Sequence, residues 1–222
     1  MAIDLETKDC TAVTDAELEE MAELSGEGTG GLSVGDLSKQ TEFWVLSSTA
    51  RENGRLRGFS FSTLERIGGT PAVIIGSGAV ARTSRRDTVL RGLLGEQFRR
   101  ALLAFPDEDV VVGLQLDRPD ALDALGVLDD LVPREGHRAN GEQRAWGKRL
   151  AKRYGSENGS YDERSFVLSG DGGASFLFDH EAVEATPTPG TVELFDRLDH
   201  DRGDTLVVCG WALAEDLERL GA

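Results

Sequence analysis

The sequence predicts a mixed α/β sheet, and three observations point to this class. Extended segments at 42–50, 56–67 and 70–81 are joined by Asn-Gly and Gly-Gly turns, which predicts an antiparallel meander. Apolar residues then recur three and four positions apart from Leu90 to Leu102, the spacing of an amphipathic helix. The apolar run at 109–116 follows as a buried strand, so a strand, a crossover helix and a second strand predict a parallel pair.

The other elements are predicted from periodicity and from turn residues. Thr14 precedes an acidic first turn and is the expected cap of the first helix. Glycine-rich turns at 26–31 and 170–173 lack the residues of a phosphate loop and predict a loop and a hairpin turn, respectively. The remaining predictions are helices at 15–25, 32–40, 118–132, 140–155, 191–198 and 212–221, and strands within 164–178 and at 204–211.

Charge and cysteine content restrict the functional classes. The chain has 40 acidic and 24 basic residues, a formal net charge of -16 that repels nucleic acids and anionic membranes. Its beginning lacks a basic and apolar leader pattern, and no run approaches the ~20 apolar residues of a membrane span. Cys10 and Cys209 are expected to be free thiols in a reducing compartment. These features predict a cytoplasmic protein with neither nucleic acid nor membrane as a partner.

The sequence offers no pattern for a metal site. His137, His180 and His200 have no ligand-like spacing to one another or to the cysteines. The acidic stretches at 179–181 and 199–204 could bind a hard cation weakly, but they are expected to be solvated surface. A serine hydrolase is also unsupported, because the chain has no G-x-S-x-G sequence.

Three arginines stand just before the predicted long helix. The N–H groups and the dipole of a helix N-terminus attract anions, so Arg82, Arg85 and Arg86 could hold a phosphate there. The alternative is an exposed turn, in which these arginines pair with the abundant carboxylates and Asp87 or Thr88 caps the helix.

The order of elements over about residues 3–130 resembles the GNAT N-acyltransferase superfamily. In that family, a loop of the form Arg/Gln-x-x-Gly-x-Gly/Ala precedes the long helix, and it corresponds here to the sequence from Arg85 to Leu90. Arg85 matches the first position, whereas Thr88 and Leu90 stand where the family has small residues. The resemblance implies a GNAT-like acyl-CoA N-acyltransferase fold with C-terminal additions. It also implies a single domain over 1–222, with 1–130 as the core and 131–222 as closing strands plus a C-terminal extension.

The resemblance further implies a cofactor and a set of site residues. The cofactor is acetyl-CoA or another acyl-CoA, the oxyanion donor comes from the strand end at 77–80, Tyr154 is the candidate acid and Glu65 the candidate base. The candidate cofactor-binding residues are Ala79, Val80, Arg85, Arg86, Asp87, Thr88, Val89 and Leu90.

Three functions remain open at this point. The first is an acyltransferase acting on a small-molecule or protein amine, with a cationic amine favoured by the acidic chain and a homodimer possible. The second is a catalytically inactive GNAT-like binding or oligomerisation module. The third is a sensor of small anions or nucleotides that uses the arginine turn.

Overall fold

The strands of the chain form one mixed sheet. A computed structural model describes residues 3–28, 31–156, 159–172, 177–182 and 186–221. Within these residues the sheet order is β1-β2-β3-β4-β5-β10-β8-β7, with β6 paired to β10 and β9 paired to β4. Only the β4–β5 and β4–β9 pairs are parallel, which confirms the mixed α/β class. The strands are β1 (Asp4–Asp9), β2 (Leu46–Glu52), β3 (Arg55–Ile67), β4 (Thr70–Val80), β5 (Val110–Leu116), β6 (Asp129–Val132), β7 (Tyr161–Asp162), β8 (Val167–Leu168), β9 (Phe178–Asp179) and β10 (Thr205–Ala212).

Helices pack against the sheet. Thr14 accepts a hydrogen bond from the Glu17 N–H and forms the capping box that opens the first helix. The long third helix packs on β1 to β4, and its Val89 and Leu93 lie over Gly58 of β3, where a side chain would leave no room. The helices are α1 (Asp15–Ser25), α2 (Val34–Phe43), α3 (Arg86–Ala104), α4 (Pro119–Ala124), α5 (Gly141–Arg153), α6 (Pro189–Phe195) and α7 (Leu217–Leu220).

Two predicted helices are shorter than expected. The predicted helix at 118–132 ends at Ala124, and Asp129–Val132 instead pairs as β6 with β10. The predicted helix at 212–221 is reduced to Leu217–Leu220, since Ala212 still belongs to β10 and a turn follows it. In the first case, pairing with the central strand β10 outweighed the helical spacing of the apolar residues.

Two strand predictions were wrong. The strand predicted at 42–50 begins at Leu46, because Glu42 and Phe43 complete α2. The two halves of the predicted 164–178 hairpin do not pair with each other: β8 joins β7 and β10, and β9 joins β4. The strand predicted at 204–211 is present as β10 and lies directly beside β5. Strand β1, which was not expected, is an edge strand rich in polar residues.

Both cysteines are free and buried, and burial raises the pKa of each thiol to about 12. The thiols are therefore protonated at neutral pH and poor nucleophiles. No described helix combines the length and apolar character needed to span a membrane.

Asp204 ties the loop before β10 to the glycine turn after β8. Its carboxylate accepts hydrogen bonds from the Gly170 N–H at 3.0 Å and the Asp199 N–H at 3.3 Å. Arg202 donates two more, at 2.8 and 2.7 Å. These hydrogen bonds, led by those of Arg202, lower the pKa of Asp204 from 3.8 to about 2 although the residue is buried.

Asp204→Asn is expected to lower the free energy of unfolding at neutral pH by about 1.5–3 kcal/mol, the range for hydrogen bonds to a charged group. Because the folded-state pKa of Asp204 is depressed, its contribution is present above the ordinary pKa and is lost as pH falls from about 4 through about 2. Urea denaturation over this range should therefore show the difference between wild type and variant shrinking. The control Asp216→Asn removes an exposed ion pair with Arg219 and should change stability by less than about 0.5 kcal/mol. A difference independent of pH would contradict the assignment.

Gly76→Ala is expected to destabilise the fold by about 1–3 kcal/mol, because overpacking forces neighbouring groups to move. A Cβ at this position of β4 would lie 2.2 Å from Cε2 of the Trp44 indole. That ring is also held in place by a 2.9 Å hydrogen bond from its Nε1 to Gln40. The matched control is Gly141→Ala on α5, where an added Cβ meets nothing within 4 Å. Urea denaturation of both variants is the measurement, and equal losses would contradict this account.

Candidate functional site

Strands β4 and β5 pair only along part of their length. Their parallel register covers Ala72↔Val111 to Ile74↔Gly113. Beyond Ile74, the edge of β4 that faces β5 pairs instead with β9, while the opposite edge still pairs with β3. The space between the diverging carboxyl-terminal halves of β4 and β5 is called the cleft below. A divergence of this kind exposes backbone groups in the middle of a sheet, and these groups need a hydrogen-bonding occupant.

The backbone of β4 is irregular at the cleft, and its neighbours approach it closely. The register with β3 shifts between Ser60↔Gly78 and Ser62↔Ile75, which places a bulge at Gly76 and Ser77. Gly78 has no side chain, and an added Cβ would lie 2.6 Å from the Phe59 carbonyl oxygen. Bulges and glycines in strands mark places where another backbone or a ligand approaches closely.

The occupant of the cleft is the chain itself. Residues 177–182, called the strap below, lie along β4: the Gly78 N–H donates to the Leu177 carbonyl at 3.2 Å, and Ala79 is opposite Asp179. Phe178 is buried in the core. The strand end at 77–80 was predicted to supply an oxyanion donor, and its Gly78 N–H is bonded to the strap in this structure.

The arginine turn holds the carboxylates of the strap. Arg82 Nη2 lies 3.0 Å from Asp179 Oδ1, and its Nη1 pairs with Glu181. Arg86 donates to the Ala182 carbonyl at 2.8 Å. The 179–181 stretch was predicted to be solvated acidic surface. That prediction was wrong, because Asp179 and Glu181 pair with Arg82 and His180 is buried.

His180 lies between the strap and the start of α3. Its Nε2 is 3.1 Å from Asp87 Oδ1, and its side chain is almost fully buried. Burial lowers the pKa of this imidazole against the opposing charge of Asp87. The strap therefore contacts α3 through a histidine that favours the neutral form.

Arg85 is directed away from the strap and towards β2. It pairs with Glu52, which also accepts a 3.1 Å hydrogen bond from Arg57. Burial opposes the charge of Glu52, but Arg85 and Arg57 outweigh it and lower the pKa of that carboxyl. The sequence offered two interpretations of this turn, a phosphate site and arginines paired with carboxylates. Arg85 and Arg82 both make the carboxylate pairs of the second interpretation.

The other predicted cofactor-binding residues fall into two groups. Ala79, Val80, Val89 and Leu90 are buried, and Thr88 is exposed. Helix α3 begins at Arg86 and has no side-chain cap, so neither Asp87 nor Thr88 serves as the cap that the sequence suggested. Leu90, which stands where the GNAT superfamily has a small residue, is buried in the hydrophobic core.

The two candidate catalytic residues, Tyr154 and Glu65, contact different groups. Tyr154 follows α5, and its hydroxyl donates to the Ile75 carbonyl of β4 at 2.9 Å. Burial raises the pKa of this phenol well above 10.0, so it keeps its proton. Glu65 of β3 is opposite Ala72, at the far end of β4 from the arginine turn, and pairs with Arg153 at 2.6 Å.

Two cavities flank the strap, and Leu177 lines both. The larger, about 590 Å³ and called the acidic cavity below, is bordered by Gly78, Ala79, Arg118, His200 and the carboxylates of Asp117, Asp179, Asp196, Asp201 and Asp204. The smaller, about 370 Å³ and called the tyrosine cavity below, is bordered by Gln40, Trp44, Tyr154, Ser169 and Thr205, among others. Burial raises the pKa of Asp117 in the first. Among the described residues, no three histidine, cysteine, aspartate or glutamate side chains are grouped to hold a metal ion.

The strap itself was not foreseen. The only signal in the sequence was the opposite charge of the 179–181 acids and the 82–86 arginines, and many other acids of this chain could have supplied that charge.

The solved structures similar to this chain include acetyltransferases. No protein-family model and no curated protein sequence matches the chain. A NatC complex bound to Gag peptide and CoA has a TM-score of 0.44 and 14% identity, covering 65% of this chain and 90% of that one. An aminoglycoside acetyltransferase from an uncultured soil metagenomic sample, in complex with sisomicin, has a TM-score of 0.43 and 15% identity, covering 62% and 97%. An acetyltransferase of the GNAT family from Streptococcus pneumoniae has a TM-score of 0.39 and 12% identity, covering 63% and 92%. These similarities concern the fold alone.

Proposed function

We propose that the chain is an acyl-CoA-dependent N-acyltransferase of the GNAT type that acts on a cationic amine. The observation that carries this proposal is the cleft, where β4 leaves β5 and its edge accepts an extended backbone. Arginines lie just beyond that edge. An extended, amide-bearing arm with an anionic end is the chemistry that such a site binds.

The residues of the cleft fit such a donor, but the strap leaves no room for it. Gly78 and Ala79 offer the backbone edge, and Arg82 and Arg86 offer guanidinium groups for phosphates. All four contact the strap in this structure, so donor and strap exclude each other. A bound acyl-CoA would supply the acyl group as a thioester.

The acceptor class follows from charge. The acidic cavity borders Gly78 and Ala79 and is lined by five aspartates. Asp179 and Asp204 pair with arginines, so the other three, Asp117, Asp196 and Asp201, would attract a protonated amine. Tyr154, on the other side of Leu177, remains protonated at neutral pH and is the proposed proton donor. Glu65 is the weaker candidate as base, because it is paired with Arg153 and lies towards the other end of β4.

A second candidate function is a catalytically inactive module that binds a partner or forms an oligomer. The specific observation in its favour is that the β4 edge and the arginines beside it already have contacts within the chain. It predicts a folded protein that is indifferent to coenzyme A and has a defined oligomeric state by light scattering.

Calorimetric titration with acetyl-CoA and longer acyl-CoA thioesters at low salt separates the two functions. The acyltransferase should bind at least one thioester saturably, with a Kd below about 1 mM, the upper end of common substrate constants. Arg86→Gln should weaken that binding, whereas Arg219→Gln, which alters an exposed pair on α7, should not. Absence of heat and of any thermal shift at millimolar ligand would reject the acyltransferase and leave the inactive module.

Tyr154→Phe tests the proton donor. Release of free thiol from acetyl-CoA, measured with a panel of cationic primary amines, should fall about a hundredfold or more, the usual contribution of a general acid. Thioester affinity should be retained, and the lost hydrogen bond to Ile75 should cost about 1 kcal/mol of stability.

Tyr161→Phe is the matched control, since this hydroxyl is also buried but has no hydrogen-bond partner among the described residues. Equal rates for both variants would remove Tyr154 from the reaction.

A further inference from the structure

The strap is held in the cleft by few backbone contacts. Its β9 portion is only two residues long, and it pairs with β4 at Gly78 and Ala79 alone. Strand pairs this short are marginal without additional packing. The strap therefore depends on the burial of Phe178 and on its charged contacts.

The charged contacts join the strap to the residues proposed to bind the donor. Asp179 and Glu181 pair with Arg82, and the Ala182 carbonyl accepts from Arg86. The far end of the strap is fixed from another side, because the Ala182 N–H donates to Asp120 of α4 at 3.2 Å. The strap thus presents to the cleft an extended backbone followed by anions.

We propose that residues 177–182 act as an intramolecular pseudo-ligand that closes the donor cleft and must leave before an extended anionic ligand enters. This inference rests on the proposed function for the identity of that ligand. The strap uses the Gly78 N–H and the Arg82 guanidinium, and one backbone edge and one guanidinium cannot serve two occupants in the same positions. Donor binding and strap binding therefore compete within one chain.

The strap can be loosened by charge or by shape. Asp179→Asn with Glu181→Gln removes the ion pairs and leaves the cleft residues untouched. Phe178→Leu leaves every charge in place, but it shortens the buried side chain that anchors the strap in the core. Because the second variant does not change the charge, tighter ligand binding by it would be due to release of the strap and not to a gain in local positive charge.

The experiment measures strap release and ligand binding separately. Amide hydrogen exchange at Gly78 reports release, because that N–H is bonded to Leu177. Calorimetry with coenzyme A at low salt reports binding. Both loosened proteins should exchange this amide faster and bind coenzyme A more tightly, each by about three- to tenfold, as expected for one or two partly exposed ion pairs.

The control removes two ion pairs elsewhere, Glu108 with Arg66 and Asp216 with Arg219, by Glu108→Gln and Asp216→Asn. It should change neither readout. Unchanged exchange and unchanged affinity in both loosened proteins would overturn the proposal. Tighter binding in the charge variant alone, without faster exchange in either, would also overturn it, since charge would then explain the gain. Faster exchange in both, with coenzyme A bound by no protein, would support the closure by the strap and reject the proposed function instead.

Discussion

A strand that turns away from its parallel neighbour inside a sheet leaves buried N–H and C=O groups in need of hydrogen bonds. In this protein β4 does so after Ile74, and its bulge at Gly76 and Ser77 directs the following residues away from β5. The Gly78 N–H finds its acceptor in Leu177, a residue almost a hundred positions later in the chain. Covering this edge with the strap brings Phe178 against Gly78, where an added Cβ would find no room. It also places Leu177 between the two cavities, since that residue lines both.

Charge complements this backbone constraint. A chain with a net charge of -16 has many carboxylates available, and its arginines before α3 are matched by Glu52, Asp179 and Glu181. These ion pairs have different structural consequences: the pair of Arg85 with Glu52 fixes the turn to β2, whereas the pairs of Arg82 fix the strap. One cluster of cations thus serves a local structural contact and a contact across the cleft. This division explains why the two interpretations of the arginine turn, anion site and paired turn, are compatible in one structure.

Local sequence signals predicted most of the core and little of what fills the cleft. The turn at Asn53 and the heptad-like leucines of α3 specify their elements through contacts within a few residues, so they could be read directly. The pairing of β10 with β5, and of Phe178 with Gly78, depends on partners far along the chain that no local pattern encodes. Tyr154 could be named as a candidate from the family resemblance, but its contact with Ile75 arises from how α5 packs. Leu90 stands where the family has a small residue, and its burial in the core depends on where α3 begins, at Arg86, which the sequence did not specify.

The central place of β10 affects how the chain reaches its fold. Until residues 205–212 have been synthesised, β5 has one edge against β4 and the other uncovered, although its residues are almost entirely buried in the finished sheet. Uncovered apolar edges of this kind invite pairing with other chains. Closing the loop of residues between β5 and β10 costs entropy that grows only slowly with loop length, so the long intervening segment is tolerated thermodynamically. We expect the cost to be kinetic, because this edge of β5 stays uncovered from the synthesis of Leu116 until that of Thr205, and aggregation competes with folding during that interval.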